Sequence, residues 1–338
     1  MEHRRRPATE QLFGSTGLTV SPIGLGLASL GRPGYINLGH GADLAGQRSV
    51  TAMEARAHAV LDEAWRGGVR YLDAARSYGR AEAFLASWLA ARGIWPDDVA
   101  VGSKWGYTYT ADWQVEADTH EVKDHALPVL QRQWRETREL LGEHLDLYQI
   151  HSATLDSGAL DDPRLLTELA RLKSEDVLIG LTTSGPEQAV TIARALDVRV
   201  DGVPLFDSVQ ATWNLLERSA EPALADAHAA GLGVIVKEAV ANGRLTARNT
   251  APAFAEQRHL LYAQADRLDT TVDALALAGV LTRPWADVVL SGATTVDQLR
   301  ANLRALEVGW DDEAEAGLAI LAEAPAAYWK RRGALPWN

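Results

Sequence analysis

Four titratable side chains follow three consecutive β-type runs in the first half of the sequence. Asp73 ends "VRYLD" and Tyr78 lies five residues later, Lys104 ends "VAVGSK", and His151 ends "LDLYQIH". Tyrosine is a poor proton donor at neutral pH, since its reference pKa is about 10. A nearby lysine ammonium lowers that pKa, a carboxylate holds the lysine in place, and a histidine orients a carbonyl oxygen. The set therefore suits protonation of the oxyanion that forms when hydride attacks a carbonyl.

Each of these residues, taken alone, is more typical of a structural role. A lysine after a strand is usually a solvated loop residue, a lone histidine is usually structural, and Asp73 could cap a helix or a turn. The occurrence of all four at successive strand ends favours a functional site.

The elements that would position these residues alternate between short β-type runs and helical patterns. Eight strand–helix units follow one another without a linker or a break in composition. Repeated units of this kind imply parallel strands joined by helical crossovers. The predicted fold is an α/β (β/α)8 TIM barrel, whose active site lies at the carboxyl ends of the strands. An open doubly wound sheet is the structural alternative.

The predicted boundaries follow the periodicity of the apolar residues. Strands are expected at 23–27, 69–72, 99–103, 145–150, 177–181, 206–210, 233–236 and 287–290. Helices are expected at 55–66, 80–92, 124–141, 162–175, 186–196, 219–230, 254–267, 271–282 and 296–306. Before the first unit, 11–13 and 18–20 flank "GSTG" and predict a small β-hairpin.

Composition excludes several classes of function. The 338 residues include 33 Lys and Arg against 45 Asp and Glu, a net charge of -12 that argues against nucleic acid as a partner. Cysteine is absent, which removes disulfides, thiolate metal sites and cysteine nucleophiles. No apolar run is long enough to span a membrane. Arg4, Arg5 and Arg6 are expected to be a solvated tail rather than an export signal, and we expect a cytoplasmic protein.

Two glycine- or histidine-rich stretches resemble known motifs without matching them. "GLGLASLG" over 24–31 lacks the third glycine of a dinucleotide fingerprint, because that position is Ser29. "HEVKDH" over 120–125 has one residue too many for a zinc motif, and on a helix its two imidazoles would point apart. We therefore expect neither a Rossmann site nor a metal site. Asp124 is a more plausible cap for the helix that follows.

The last unit, "VVLSGATTVDQLRANL", combines a strand, a glycine, two threonines and a helix start. Helix-terminal N–H groups favour phosphate, and phosphate sites in barrels favour the loops after strands seven and eight. An ordinary threonine cap would satisfy the same pattern, but the pattern favours an anion site.

Five segments in this order resemble the aldo-keto reductase family over nearly the whole chain. They are "YLDAARSYG", "VGSKWG", "DLYQIH", "SVQATWNLLER" and "LSGATTVDQLRANL". The resemblance implies a (β/α)8 barrel whose N-terminal hairpin closes the bottom. It also implies an extended NADP(H) bound without a Rossmann domain. Tyr78 would be the general acid, supported by Asp73, Lys104 and His151.

The resemblance also implies positions for the cofactor, with departures from the family pattern. The implied contacts are Gly26, Leu27, Thr182, Thr183, Gln210, Lys237, Gly292, Thr294, Gln298 and Asn302. Thr182 and Thr183 stand where the family commonly has Ser-Asn, and Ser184 is an alternative to Thr183. Lys237 replaces an aromatic residue that stacks on nicotinamide. The final loop lacks the Lys or Arg that clamps a 2′-phosphate, although Arg300 is nearby. NADP(H) is expected, and NAD(H) is the alternative.

The substrate pocket is expected to be aromatic. Tryptophan outnumbers the other aromatic residues, with 11 Trp against 8 Tyr and 4 Phe. Trp105 and Trp113 lie beside the proposed site in a loop that could overhang it. Trp329 and Trp337 could form another wall. The expected substrate is a small aldehyde, ketone or sugar-like carbonyl compound, or the corresponding alcohol.

The sequence thus predicts one NAD(P)H-dependent oxidoreductase domain over 1–338. Its parts would be the hairpin at 11–20, the barrel at 23–307, and a C-terminal helix and tail at 308–338. One alternative is an aldose 1-dehydrogenase that works in the oxidative direction. Another is a redox-sensing subunit that binds the cofactor but has a slow turnover. A barrel enzyme that uses a sugar phosphate and no nicotinamide is a third. The sequence leaves the oligomeric state open.

Overall fold

The computed structural model describes residues 10–338. The basic segment at Arg4, Arg5 and Arg6 therefore lies outside the described residues. Within residues 10–338, no helix combines the length and the apolar character needed to cross a membrane.

The strands are numbered in chain order. They are β1 (Gln11–Leu12), β2 (Thr19–Val20), β3 (Ile23–Gly26), β4 (Tyr71–Asp73), β5 (Ala100–Trp105), β6 (Tyr107–Tyr109), β7 (Glu121–Lys123), β8 (Leu147–Ala153), β9 (Leu178–Thr183), β10 (Arg199–Val200), β11 (Val203–Pro204), β12 (Ser208–Thr212), β13 (Gly233–Lys237) and β14 (Val288–Ser291).

The helices are numbered in the same way. They are α1 (His40–Leu44), α2 (Val50–Arg66), α3 (Ala81–Arg92), α4 (Leu127–Leu141), α5 (Pro163–Lys173), α6 (Gln188–Leu196), α7 (Glu221–Ala229), α8 (Ala255–Arg267), α9 (Val272–Leu281), α10 (Val296–Leu303), α11 (Asp312–Ala319) and α12 (Pro325–Gly333).

Eight of the strands close into a parallel barrel, which confirms the predicted (β/α)8 TIM fold. Their order around the barrel is β3, β4, β5, β8, β9, β12, β13 and β14. Every neighbouring pair is parallel, and β14 pairs with β3 to close the circle. The carboxyl ends of all eight strands therefore meet on one rim.

Local signals explain where the boundaries differ from the predicted ones. Helix α2 begins at Val50 rather than at residue 55, because the Ser49 side chain caps it by accepting from the Ala52 N–H. Strand β8 continues three residues past Ile150, through a bulge at which Ser152 has φ +52°. Helix α4 begins at Leu127, because residues 121–123 pair as β7 against β6 and Asp124 accepts from the Ala126 N–H in the turn that follows; Ala126, not Asp124, is the N-cap residue.

The hairpin of β1 and β2 closes the bottom of the barrel, as expected. Phe13 between the two strands is fully buried and packs against Tyr71 at the start of β4, with ring centroids 6.2 Å apart. Its ring lies over Gly233 at the start of β13, where a Cβ would come within 2.5 Å of the ring atoms. Gly233 is therefore a position of close approach, and a larger residue there would displace the hairpin.

We expect Gly233→Ala to destabilise the fold by about 1–3 kcal/mol, because the added methyl overpacks the Phe13 contact. Urea unfolding followed by circular dichroism measures the change. Gly309→Ala is the matched control, since nothing lies within 4 Å of a Cβ added there. Equal stability of the two variants would contradict a close-packed hairpin at the barrel bottom.

Candidate active site

A buried ion pair joins the ends of β4 and β5. The Lys104 ammonium contacts the Asp73 carboxylate and also donates to the Ala74 carbonyl at 2.9 Å. Both side chains are buried, at 1% and 2% exposure, so each charge depends on the other for compensation. The second Asp73 oxygen accepts from the Gln210 amide at 3.0 Å, across the barrel from β12. The pair is thus held on three strands.

Tyr78 and His151 meet above this pair. Tyr78 lies in the short turn between β4 and α3, and its hydroxyl is 3.5 Å from His151 Nε2 on β8. The Lys104 Nζ lies 4.8 Å from the centre of the Tyr78 ring. Gly31 permits this position, because a Cβ there would lie 2.2 Å from the Tyr78 carbonyl. The structure therefore brings together all four residues that the strand ends indicated.

Burial shifts the pKa values of both Tyr78 and His151. It raises the pKa of the Tyr78 hydroxyl well above its usual value, and Asp73 adds to the increase while Arg32 opposes it. The net shift is thus opposite to the decrease expected from a nearby ammonium, because desolvation and the Asp73 charge outweigh the effect of the cations. Burial also lowers the pKa of His151 well below its usual value, and Lys104 adds to that decrease. Tyr78 is therefore protonated and His151 neutral at pH 7.

The Ser77 hydroxyl lies 3.4 Å from His151 Nδ1. A hydroxyl that donates to Nδ1 leaves the proton of a neutral imidazole on Nε2, which is the nitrogen that faces Tyr78. Ser77 carried no signal in the sequence, and its contact depends on the turn that also places Tyr78.

Asp73, Tyr78 and His151 line a cavity of about 280 Å³ at the carboxyl ends of the barrel strands. Its wall includes Gly26, Arg32, Tyr35, Tyr78, Tyr107, Glu121, His151, Ser184, Gln210, Lys237, Glu238, Gly292, Arg332 and Trp337.

The cofactor residues implied by the resemblance divide into two groups. Gly26, Gln210, Lys237 and Gly292 line the cavity, as does Ser184, the alternative to Thr183. The others, which do not line it, are Leu27, Thr182, Thr183, Thr294, Gln298 and Asn302.

Contacts explain part of this division. Thr182 accepts from the Ser152 N–H at 2.7 Å, whereas the buried Thr183 hydroxyl has no partner among the described residues. In the final loop, the Gln298 side chain accepts from the Thr294 N–H at 2.8 Å, and the Asn302 amide lies 2.8 Å from the Ser291 hydroxyl. The loop is therefore ordered by its own side chains.

The two tryptophans expected at the substrate do not line the cavity. Successive side chains of a strand point to opposite faces, so Lys104 points into the site and Trp105 points away from it. Trp105 is fully buried and packs against His125, with ring centroids 5.6 Å apart. Trp113 packs on Phe84 and donates to the Arg48 carbonyl at 2.6 Å. The expectation for both residues is corrected.

Other aromatic residues form the wall instead. Tyr107 enters from the hairpin of β6 and β7, the segment expected to overhang the site, and Tyr35 enters from the loop after β3. Trp337 of the C-terminal tail also lines the cavity and stacks on His120, with ring centroids 3.9 Å apart. Of the two tail residues expected from the sequence, Trp337 lines the cavity and Trp329 does not, whereas no sequence signal pointed to Tyr35.

Two bacterial proteins are similar to this chain over most of their length. The Bacillus subtilis (strain 168) protein "Uncharacterized oxidoreductase YrpG" is 24% identical over 323 residues, covering 89% of this chain and 92% of that protein. "Protein tas" of Escherichia coli (strain K12) is 25% identical over 360 residues, covering 93% and 95%.

Among solved structures, the holo form of aldo-keto reductase AKR11C1 from Bacillus halodurans has a TM-score of 0.72 at 23% identity. The similarity covers 94% of this chain and 97% of that one. This likeness supports the barrel fold. The sequence profile of the Aldo/keto reductase family matches residues 22–322. With the barrel and the residues on its rim, this match establishes that the chain belongs to the aldo/keto reductase family.

Proposed function

We propose that this oxidoreductase transfers a hydride between a nicotinamide nucleotide and the carbonyl carbon of a small aldehyde, ketone or sugar-like substrate. The observation that carries the proposal is the meeting of the Tyr78 hydroxyl and His151 Nε2, 3.5 Å apart, on the wall of one cavity. When bound, the nucleotide supplies or accepts the hydride. The residues of the chain bind the oxygen and move the proton.

The two side chains have different tasks. A neutral His151 that carries its proton on Nε2 donates to a carbonyl oxygen and orients it. Tyr78 is protonated and supplies the proton to the oxyanion as hydride arrives. In the oxidative direction the same hydroxyl oxygen receives the proton, by microscopic reversibility.

Proton transfer leaves a negative charge on Tyr78, and two cations face its ring. Lys104 Nζ lies 4.8 Å and the Arg32 guanidinium carbon 5.3 Å from the ring centre. A cation this close to the ring stabilises the tyrosinate that forms, and the Arg32 guanidinium also opposes the rise in the Tyr78 pKa. Asp73 holds Lys104 in this position.

The rim also fits an extended nucleotide. A Cβ at Gly26 would meet only the Ser291 carbonyl at 3.7 Å, and one at Gly292 only Asn37 at 4.0 Å. These two glycines leave open backbone on the wall between β3 and β14. Ser184, which lines the same cavity, adds a polar side chain to this wall. We propose NADP(H) as the nucleotide, with NAD(H) as the alternative.

Tyr78→Phe should lower kcat for carbonyl reduction by a factor of about 10²–10⁴, because the proton donor is lost. Steady-state assays at 340 nm with a panel of small aldehydes measure this, and nucleotide affinity should change little. Tyr262→Phe, at an exposed position of α8, is the matched control. Unchanged turnover in Tyr78→Phe would contradict the assigned role. Tight nucleotide binding by an inactive wild type would favour the redox-sensing alternative.

Titration of tryptophan fluorescence with NADPH and then with NADH tests the nucleotide itself. We expect saturable quenching by both, with the lower Kd for NADPH. Absence of binding by either nucleotide would contradict the oxidoreductase proposal and favour a barrel enzyme that uses no nicotinamide.

A further inference from the structure

The charged groups around the cavity are arranged as ion pairs. Arg32 binds Glu121 at 2.9 Å, Arg332 binds Glu238 at 2.7 Å, and Lys104 contacts Asp73 just behind the wall. Each pair brings one positive and one negative charge, so the three pairs together are neutral. His151 adds no charge at pH 7, because burial lowers its pKa well below the usual value.

Lys237 is the exception. It ends β13 directly opposite Thr212 of β12, and its ammonium donates to the Thr212 hydroxyl at 3.0 Å. Among residues 10–338 no carboxylate lies within 4.0 Å of this ammonium. The nearby Glu238 carboxylate is bound by Arg332 and accepts from the Thr212 hydroxyl at 3.3 Å. Among the described residues that line the cavity, Lys237 thus carries a positive charge without a carboxylate partner, and the centre of the Trp329 ring lies 5.8 Å from its ammonium.

Two of the three ammonium N–H groups of Lys237 remain without a partner among the described residues. The side chain lines the same cavity as Tyr78 and His151. A buried or half-buried charge is favourable only when it is paired and hydrogen-bonded, so this position fits an anionic ligand group.

We propose that Lys237 binds a carboxylate of the substrate, so that the enzyme prefers aldehydes and ketones that carry an acid group. The carbonyl oxygen would meet Tyr78 and His151 while the carboxylate meets the Lys237 ammonium. The reaction part of this inference rests on the proposed function, whereas the anion-binding part does not. The cavity of about 280 Å³ also includes Gly26, Gln210 and Gly292, which the proposed nucleotide would contact, so the acid substrate must be short.

The charge on Lys237 depends on pH. Burial lowers its pKa to about 8, Arg332 and Lys104 lower it further, and Glu238 and Asp73 oppose them. Lys237 in turn lowers the pKa of His151. The ammonium is therefore mostly charged at pH 7 and loses its charge as the pH rises through about 8. The preference for acids should decline over the same interval.

Succinic semialdehyde and its methyl ester test the proposal, because the ester removes the negative charge and adds only one methyl group. For the wild type at pH 7 we expect kcat/KM to be about 10-fold or more higher for the acid, as charged hydrogen bonds allow. Lys237→Gln should remove most of this preference, and Lys237→Arg should retain part of it. Lys330→Gln, which removes an exposed lysine of α12, is the control and should keep the wild-type ratio.

A binding measurement separates this inference from the proposed function. Succinate, which has no aldehyde, should bind the wild type in calorimetry and bind Lys237→Gln about 10-fold more weakly. If succinate binds through Lys237 but no aldehyde is reduced, the reaction is wrong and the anion site stands. An unchanged acid-to-ester ratio in Lys237→Gln overturns the inference. A loss of NADPH affinity in that variant with an unchanged ratio also overturns it, since Lys237 would then serve the nucleotide.

Discussion

The contact between Lys104 and Asp73 is the constraint on which the rest of the site depends. Two opposite charges are almost fully withdrawn from water at the ends of neighbouring strands. Removal of one partner from such a pair leaves an uncompensated buried charge, at a cost of about 3–5 kcal/mol. The geometry is therefore narrowly defined, and Gln210 extends it across the barrel to β12. Tyr78 and His151 lie next to this ion pair, and a displacement of Lys104 or Asp73 would leave a buried charge without its partner.

Much of this arrangement could be predicted from the sequence, for a simple geometric reason. Parallel strands place their carboxyl ends on one rim, so Asp73, Lys104 and His151 had to converge once the barrel was recognised. The period of two along a strand also predicts that Trp105 points away when Lys104 points inward. That rule was available from the sequence and would have excluded Trp105 from the cavity wall.

Other features depend on tertiary structure alone. Arg32, Tyr35 and Glu121 reach the cavity from connecting segments, whose paths no periodicity describes. The protonation of Tyr78 depends on desolvation, which is a property of the assembled environment rather than of neighbouring residue types. The overall charge of -12 was equally uninformative about the site, because the cavity has its own local balance of three ion pairs and one Lys237 ammonium without a carboxylate.

Closure of the barrel has a consequence for how the chain must fold. Strand β3 near the beginning pairs with β14, where Ile23 lies beside Val289. Until β14 is in place, β3 and β13 are open edges with unpaired backbone groups, which are templates for association with other chains. Contacts so distant in sequence form late, since the loop entropy must be lost before they contribute. Efficient folding of this chain thus depends on how long β3 and β14 remain unpaired during synthesis. It also depends on a low concentration of other partly folded chains.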